Sequence, residues 1–465
     1  MDHNKEQIKE TIREQQQFFE QGKTKDISFR INQLKKLQKL ITENEDSILE
    51  ALKSDMGKTY QEGYLTELVP VLEEIKHSLN HIRSWSKAQK VKTSLLQGFA
   101  QNYILPEPYG TVLIMGPWNY PFHLIFAPLV GAIAAGNCAV VKPSEFTPHT
   151  SSLIKELGEK YFPSNFISVI EGEIETSQFL LEENFDYIFF TGSTQVGKIV
   201  MKYAAENLTP VTLELGGKSP CIVNKDIEVE QAAPKITWGK FVNAGQTCIA
   251  PDYLYVHKEI KSQMVDALQK SIEKFYGDNP QKSRDYPRII NQRHFERLTQ
   301  LMREELIVHG GEFDSADLYI APTLMDNVSW EDLIMQEEIF GPILPIIEYE
   351  KINEVIRGVK SSGKPLALYL FTNDSKAENT ILRELSFGGG TINNVFTHFT
   401  SLNLPFGGVG NSGMGAYHGK ASFDTFTHYK SISKNFLPLD AQSLLHPPYS
   451  ENKLSLIKKA LRLSS

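Results

Sequence analysis

Apolar residues recur at three- and four-residue intervals through the start of the chain, where Ile31, Leu34, Leu37 and Leu40 fall on one face among lysines and glutamates. That spacing predicts helices as far as about Asp55. From Tyr109 the period changes. Short β-branched runs, Thr111 to Met115 and Cys138 to Val141, flank a small-residue segment from Ala127 to Asn137 that suits close helix packing. Strand, helix, strand predicts a βαβ unit of a parallel sheet. A further unit follows, in which Tyr187 to Phe190 reads as a buried strand and Gly192 to Lys198 turns into a helix reaching Ala205. Beyond Gly217 a second α/β series runs through Cys221-Ile222-Val223, a helix from Ile227, and Leu254-Tyr255-Val256. The predicted class is α/β, with no internal repeat and no low-complexity linker.

Composition narrows what such a chain does. With 465 residues, 41% of them hydrophobic and 22% charged, there is material for a large core in two or three domains. A net charge of −8 argues against a nucleic-acid binder, which needs a basic face. Cys138, Cys221 and Cys248 stand far apart, which is neither a disulfide framework nor a metal-ligand spacing and fits a reducing cytoplasm. The start, Met-Asp-His-Asn-Lys-Glu, has no apolar core of a signal peptide, and no later run is long and apolar enough to span a bilayer. A soluble cytoplasmic protein acting on small molecules is the expectation.

Two runs carry candidate chemistry. Cys248 ends Asn243-Ala244-Gly245-Gln246-Thr247-Cys248, a turn of small and polar residues whose backbone N–H groups are expected to lower the thiol pKa and favour the thiolate. Cys138 and Cys221 lie in β-type apolar surroundings and read as core. Glu214 is a lone carboxylate in Val211-Thr212-Leu213-Glu214-Leu215-Gly216-Gly217-Lys218, placed to act as a general base. Asn119, in Gly116-Pro117-Trp118-Asn119-Tyr120-Pro121, reads either as a turn residue or as an amide donor into a pocket. Gly192-Ser193-Thr194-Gln195-Val196-Gly197 opens a helix after a strand, yet lacks the middle glycine of G-x-G-x-x-G, so a simple corner competes with a pyrophosphate site. Lys142 and Glu145 end a strand, either solvated or set to meet ribose hydroxyls. Glu338 and Phe340, in Gln336 to Pro342, suit a ribose and a flat ring, or else a helix end with a Gly-Pro stop.

Taken in order from about Lys36 to Ser431, these runs, with Leu404-Pro405-Phe406-Gly407-Gly408, resemble the motifs of the aldehyde dehydrogenase superfamily. The short N-terminal part, Asn119-Tyr120-Pro121, the run Ser412 to Gly419 and Pro447-Pro448-Tyr449 are similar to its class 3 branch. The resemblance implies a Rossmann-like NAD-binding domain (1–84 and 105–213), a related catalytic domain (214–416), a bridging oligomerisation element (85–104 and 417–433) and a C-terminal tail (434–465), assembled as a homodimer. It implies that Cys248 attacks the aldehyde, that Asn119 and the Cys248 N–H hold the oxyanion, and that Glu214 activates the water that hydrolyses the thioester. For the cofactor it implies Lys142 and Glu145 on the adenosine ribose, Gly192, Ser193 and Gly197 at the pyrophosphate, and Glu338 and Phe340 at the nicotinamide end. NAD is the expected cofactor because Glu145 repels a 2′-phosphate, although class 3 relatives also accept NADP. No metal is expected.

Medium- and long-chain, aromatic or apocarotenoid aldehydes are the implied substrates, consistent with Trp118 and Tyr120 at the site and with Phe122, Trp238, Phe396 and Phe399 elsewhere, residues that equally suit a core. His418 is left outside the catalytic set, since it serves as well to cap a turn. A CoA-acylating relative would typically lack the base that Glu214 supplies. A crystallin-like or scaffold role would tolerate loss of the catalytic positions, which are all present. The tail from Lys453 to Leu463 sets Leu454, Ile457, Ala460 and Leu461 on one side of a helix and Lys458, Lys459 and Arg462 on another. That arrangement fits a peripheral membrane contact, a cover for the substrate mouth, or packing on a dimer partner.

Overall fold

The computed structural model describes residues 2–93, 100–435 and 446–462. Helices Asp2–Glu20, Ile27–Glu43 and Glu45–Met56 form where the helical period runs, and Leu34, Leu37 and Leu40 are fully buried on the inner face. Parallel strands buried on both sides are apolar throughout. Accordingly Thr111–Met115, Cys138–Lys142 and Tyr187–Thr191 are buried at every position.

These strands belong to a six-stranded sheet ordered Gly413–Met414, Val211–Glu214, Tyr187–Thr191, Thr111–Met115, Cys138–Lys142, Ile167–Val169. All of its pairs are parallel except the short first edge. Strand order reverses between Tyr187–Thr191 and Thr111–Met115, which opens a crevice at the carboxyl ends of the strands, the usual ligand position in such sheets. The helix linking Thr111–Met115 to Cys138–Lys142, His123–Ala135, is buried at every residue. It lies close to the Lys420–Thr425 helix, with Gly131 facing Ser422 where a β-carbon would meet the Ser422 Cβ at 2.8 Å.

A second sheet of seven strands is ordered Ile307–His309, Thr323–Met325, Ile343–Tyr349, Tyr253–His257, Pro220–Val223, Ala367–Phe371, Gly389–Ile392, parallel apart from its first pair. The helix expected from Ile227 begins at Val229 and runs to Phe241. A third, antiparallel ribbon joins Gln89–Val91, Ala100–Pro108 and Thr427–Asn435, with register from Pro108 opposite Thr427 to Ala100 opposite Asn435. The tail forms the helix Glu451–Arg462, on which Leu454, Lys458 and Lys459 are exposed and Ile457 is half-buried. The side chains of Ala460, Leu461 and Arg462, and all of Leu463, lie outside the described residues. No described helix is long and apolar enough to cross a membrane.

Candidate active site

Four of the motifs stand at the carboxyl edge of the first sheet, because each follows one of its parallel strands. The Asn119 turn follows Thr111–Met115, Lys142 and Glu145 end Cys138–Lys142, the glycine turn follows Tyr187–Thr191, and Glu214 ends Val211–Glu214. Neighbouring strand ends are tied together, since the Gly192 N–H donates to the Glu214 carbonyl at 3.0 Å. Facing them are two loops of the second sheet. Cys248 precedes Tyr253–His257, and Glu338 and Phe340 precede the adjacent Ile343–Tyr349.

Between the two edges lies a cavity of about 380 Å³ lined by Asn119, Glu214 and Cys248 together with Trp118, Gly192, Ser193, Glu338 and Phe340. Lys142, Glu145 and Gly197 lie off its wall. Lys142 and Glu145 pair with each other at 3.0 Å at the next strand end. Tyr120 is buried behind the site, its hydroxyl 2.7 Å from Thr247 Oγ1, while Trp118 packs edge-on to Phe340 with ring centroids 5.4 Å apart. The aromatic pair therefore shares the wall expected to meet a flat ring.

The loop before Cys248 is held in an uncommon backbone shape. Asn243, Ala244 and Gly245 take φ of 53°, 50° and 73° in succession, a conformation costly for residues with a β-carbon. At Gly245 a β-carbon would sit 2.3 Å from the Gly341 carbonyl oxygen, so the loop and the Gly341-Pro342 turn touch backbone to backbone. Gln246 locks the loop from inside: its Nε2 donates to the Asn243 and Arg288 carbonyls and its Oε1 accepts from the Ile290 N–H, all at 3.0 Å. Asn119 Nδ2 donates to the Gln246 carbonyl at 3.0 Å, which places the amide beside the nucleophile loop.

Electrostatics here depart from the expected thiolate. Burial pushes the Cys248 thiol up to about 12, with the Glu338 and Glu214 carboxylates adding to the rise; the N–H groups of Cys248 and Ile249 pull the other way and lose. The turn does supply N–H groups, as expected, but desolvation and two nearby acids outweigh them. Glu214 is 3% exposed, both of its carboxylate oxygens lack any partner, and burial raises its pKa well above the ordinary value. Glu338 is pushed up to about 8 by burial and then by Asp252, against the Gly217 N–H and the Lys218 and Arg297 cations. Cys138 and Cys221 are fully buried, with burial raising both thiols.

No sequence spacing signals the braces behind the Glu338 loop. Lys218 Nζ pairs with buried Asp252 and also donates to the Ile334 and Glu337 carbonyls at 3.0 and 2.8 Å, while Asp252 Oδ1 accepts from the Ile339 N–H at 2.9 Å. Lys218 lies inside a motif quoted above, so its presence was visible and its partner was not. Arg297 adds a bond to the Ile339 carbonyl at 2.6 Å.

The residues present fit a dinucleotide. The crevice lies at the strand-order reversal, and a thirteen-residue helix, Thr194–Glu206, begins at it with Ser193 as its cap. Thr191 Oγ1 and the Glu214 oxygens are buried on the cavity wall without partners. Orphaned polar atoms of this kind are costly unless a ligand or water meets them. Among the described residues no cluster of histidine, cysteine or acidic side chains could hold a metal ion.

A cysteine and an unpaired carboxylate facing each other across a crevice at the strand-order reversal suit an oxidoreductase acting on aldehydes. The chain belongs to the aldehyde dehydrogenase family, whose model matches residues 1–432, and is an aldehyde dehydrogenase. It is 51% identical over 453 residues to the 4,4'-diaponeurosporen-aldehyde dehydrogenase of Staphylococcus aureus, covering 97% of this chain and 98% of that one. It is 46% identical to the dimeric NADP-preferring aldehyde dehydrogenase of Rattus norvegicus, over 95% and 98% of the two chains. The substrate-bound structure of Staphylococcus aureus AldH superposes with a TM-score of 0.95 at 50% identity, covering 97% of this chain and 99% of that one. Enzymes of this family use NAD or NADP.

Proposed function

We propose that the protein oxidises hydrophobic aldehydes to carboxylic acids with NAD(P), using Cys248 as nucleophile and Glu214 as base. The observation that carries this reading is the pair of unpartnered Glu214 oxygens lining the same cavity as Cys248, from the opposite edge. The Cys248 thiol releases its proton to solvent as Sγ adds to the aldehyde carbon, and the resulting oxyanion is met by the Asn119 amide and the Cys248 N–H. When bound, NAD(P) supplies the hydride acceptor. Glu214, kept basic by its apolar setting, takes a proton from the water that hydrolyses the thioester. The carboxylic acid leaves and the thiol is regenerated.

Lys142 and Glu145 are assigned to the adenosine ribose, Gly192, Ser193 and Gly197 to the pyrophosphate, and Glu338 and Phe340 to the nicotinamide end, where the Lys218–Asp252 pair would steady them. We assign the first sheet to the cofactor domain, the second to the catalytic domain, and the three-stranded ribbon to bridging within a homodimer. Three free cysteines support a cytoplasmic setting.

A run of aromatic side chains supports the substrate class. Tyr369, whose hydroxyl donates to the Ile249 carbonyl next to Cys248, lies 6.1 Å from Phe396, and Phe396 lies 5.2 Å from Trp238, which is 46% exposed. A chain of rings from the nucleophile to the surface suits an apolar tail. The relative that acts on 4,4'-diaponeurosporen-aldehyde has a substrate of that kind. NADH formation across acetaldehyde, hexanal, decanal, a long-chain enal and benzaldehyde, with and without CoA, tests the proposal. Activity without CoA that rises with chain length and vanishes in Cys248→Ala is the expected result. Full activity in Cys248→Ala, or a strict need for CoA, would overturn it.

A further inference from the structure

A second constellation of charge lies beneath the site, and none of the motifs covers it. Lys58 and Glu67 are wholly buried and paired at 2.6 Å. Lys58 Nζ also donates to the Asn119 carbonyl at 2.9 Å and stands 4.2 Å from the centre of the Tyr120 ring. Glu67 Oε2 accepts from the Phe122 and His123 N–H groups at 3.1 and 2.9 Å. This pair therefore fixes both ends of the turn that carries Asn119. Four residues on from Lys58, in the short helix Tyr60–Gly63, Glu62 Oε1 accepts from the Asn243 N–H at 3.0 Å, at the first left-handed residue of the Cys248 loop.

Asn243 closes the circuit. Its Nδ2 donates to the Asn119 carbonyl at 2.9 Å and to the Gln246 carbonyl at 3.0 Å. The bonds made by Lys58 and Glu62 are charge-assisted, a kind that is strong and geometrically specific. Burial raises the Glu62 carboxyl to about 7 against the pull of Lys58, so the group is kept at a cost in desolvation. Left without an acceptor, Asn243 would lose a bond at the point where its backbone is least favourable.

We infer that Glu62 is a positioning residue: together with Lys58 and Glu67, it holds the Asn119 turn and the Cys248 loop at one fixed spacing, acting through Asn243. The inference rests on the role proposed above for Asn119. Glu62, Lys58 and Glu67 do not themselves line the cavity and reach it only through Asn119 and the Cys248 loop, so their effect should fall on the chemical step and not on cofactor binding. Misplacing a reacting group by about an ångström costs on the order of a hundredfold.

The test uses the full chain with Glu62→Ala, Glu62→Asp and Glu62→Gln, alone and combined with Asn119→Ala. With saturating NAD and decanal, Glu62→Ala should slow the first NADH-forming turnover about tenfold or more with KM for NAD unchanged. Glu62→Gln, which keeps an acceptor, should restore most of the rate. Glu62→Asp, shortened by one methylene but still ionised, should fall between them, and it serves if the alanine variant does not fold. In the Asn119→Ala background the Glu62→Ala loss should shrink to about twofold or less, because groups acting as one unit are not additive. Equal losses in both backgrounds would overturn the inference.

Alkylation of Cys248 by iodoacetamide, without cofactor or aldehyde, reads the loop independently of Asn119. It should speed up severalfold in Glu62→Ala or Glu62→Asp as the loop hydrates, and return in Glu62→Gln. An unchanged or slower rate overturns the brace. A full turnover rate in Asn119→Ala alone would instead overturn the oxyanion role, and the alkylation result would then decide the brace by itself.

Discussion

Glu214→Gln should make the protein more stable while stopping its turnover, and the gain should grow with pH. The carboxyl is 3% exposed, neither oxygen has a partner, and burial holds its pKa well above the ordinary value. In the unfolded chain it ionises near 4.3, so above that pH the folded state holds a proton that the unfolded state has released. Folding stability therefore falls as pH rises from the ordinary carboxylate value up to the raised one. The slope is about 1.4 kcal/mol per pH unit for one group. Glutamine has the same shape and no ionisation to oppose, so the variant lacks that slope.

Urea unfolding of both proteins between about pH 5 and 8 should show the gap widening in favour of the variant by roughly 1.4 kcal/mol per unit until the folded pKa is passed. In the same samples the variant should release NADH once per active site and then stall, since loss of a general base costs about 10² to 10⁴ in rate. Parallel stability curves would refute the reasoning, because Glu214 would then be ionised in the folded protein. A variant that turns over at the normal rate would refute its role as base.

The Cys248 thiol, pushed up to about 12 by burial and its acidic neighbours, should be alkylated without cofactor at a rate rising about tenfold per pH unit from about pH 7 to 10; a plateau near neutrality would show a thiolate already formed. Gly245→Ala places a β-carbon 2.3 Å from the Gly341 carbonyl oxygen at a φ of 73° and should cost about 2 kcal/mol or more, with loss of activity exceeding loss of fold, as circular dichroism beside steady-state kinetics would register. Asn119→Ala should lower the rate of NADH formation by about 10² to 10³ with little change in KM for NAD. Lys218→Met strands buried Asp252 and should destabilise the protein by about 3 to 5 kcal/mol in urea unfolding while raising KM for NAD.

Much of the fold was legible because local pattern and tertiary burial agree. Leu34, Leu37 and Leu40 repeat on one helical face, and both faces of the first sheet are covered, so its strands read as unbroken apolar runs such as Tyr187 to Phe190. Cys138 and Cys221 were separable from Cys248 by their neighbours alone. What could not be read depends on distance in sequence. Lys58 meets Asn119 across sixty-one positions and Glu62 meets Asn243 across a hundred and eighty-one, and no spacing rule links such pairs. The Cys248 turn looked suited to a thiolate because its N–H groups are local. The desolvation and the Glu338 charge that outweigh them come from a different loop. Trp118 pointed toward substrate by its chemistry, whereas its contact with Phe340 emerges only when two sheet edges meet.

Catalysis as proposed turns on a covalent bond between Cys248 and the acyl group. Glu214→Gln, mixed with NAD and decanal and quenched in acid, should carry the decanoyl mass on the peptide containing Cys248, in proportion to the NADH released. NADH formation with no adduct on Cys248, or an adduct on another residue, would contradict it.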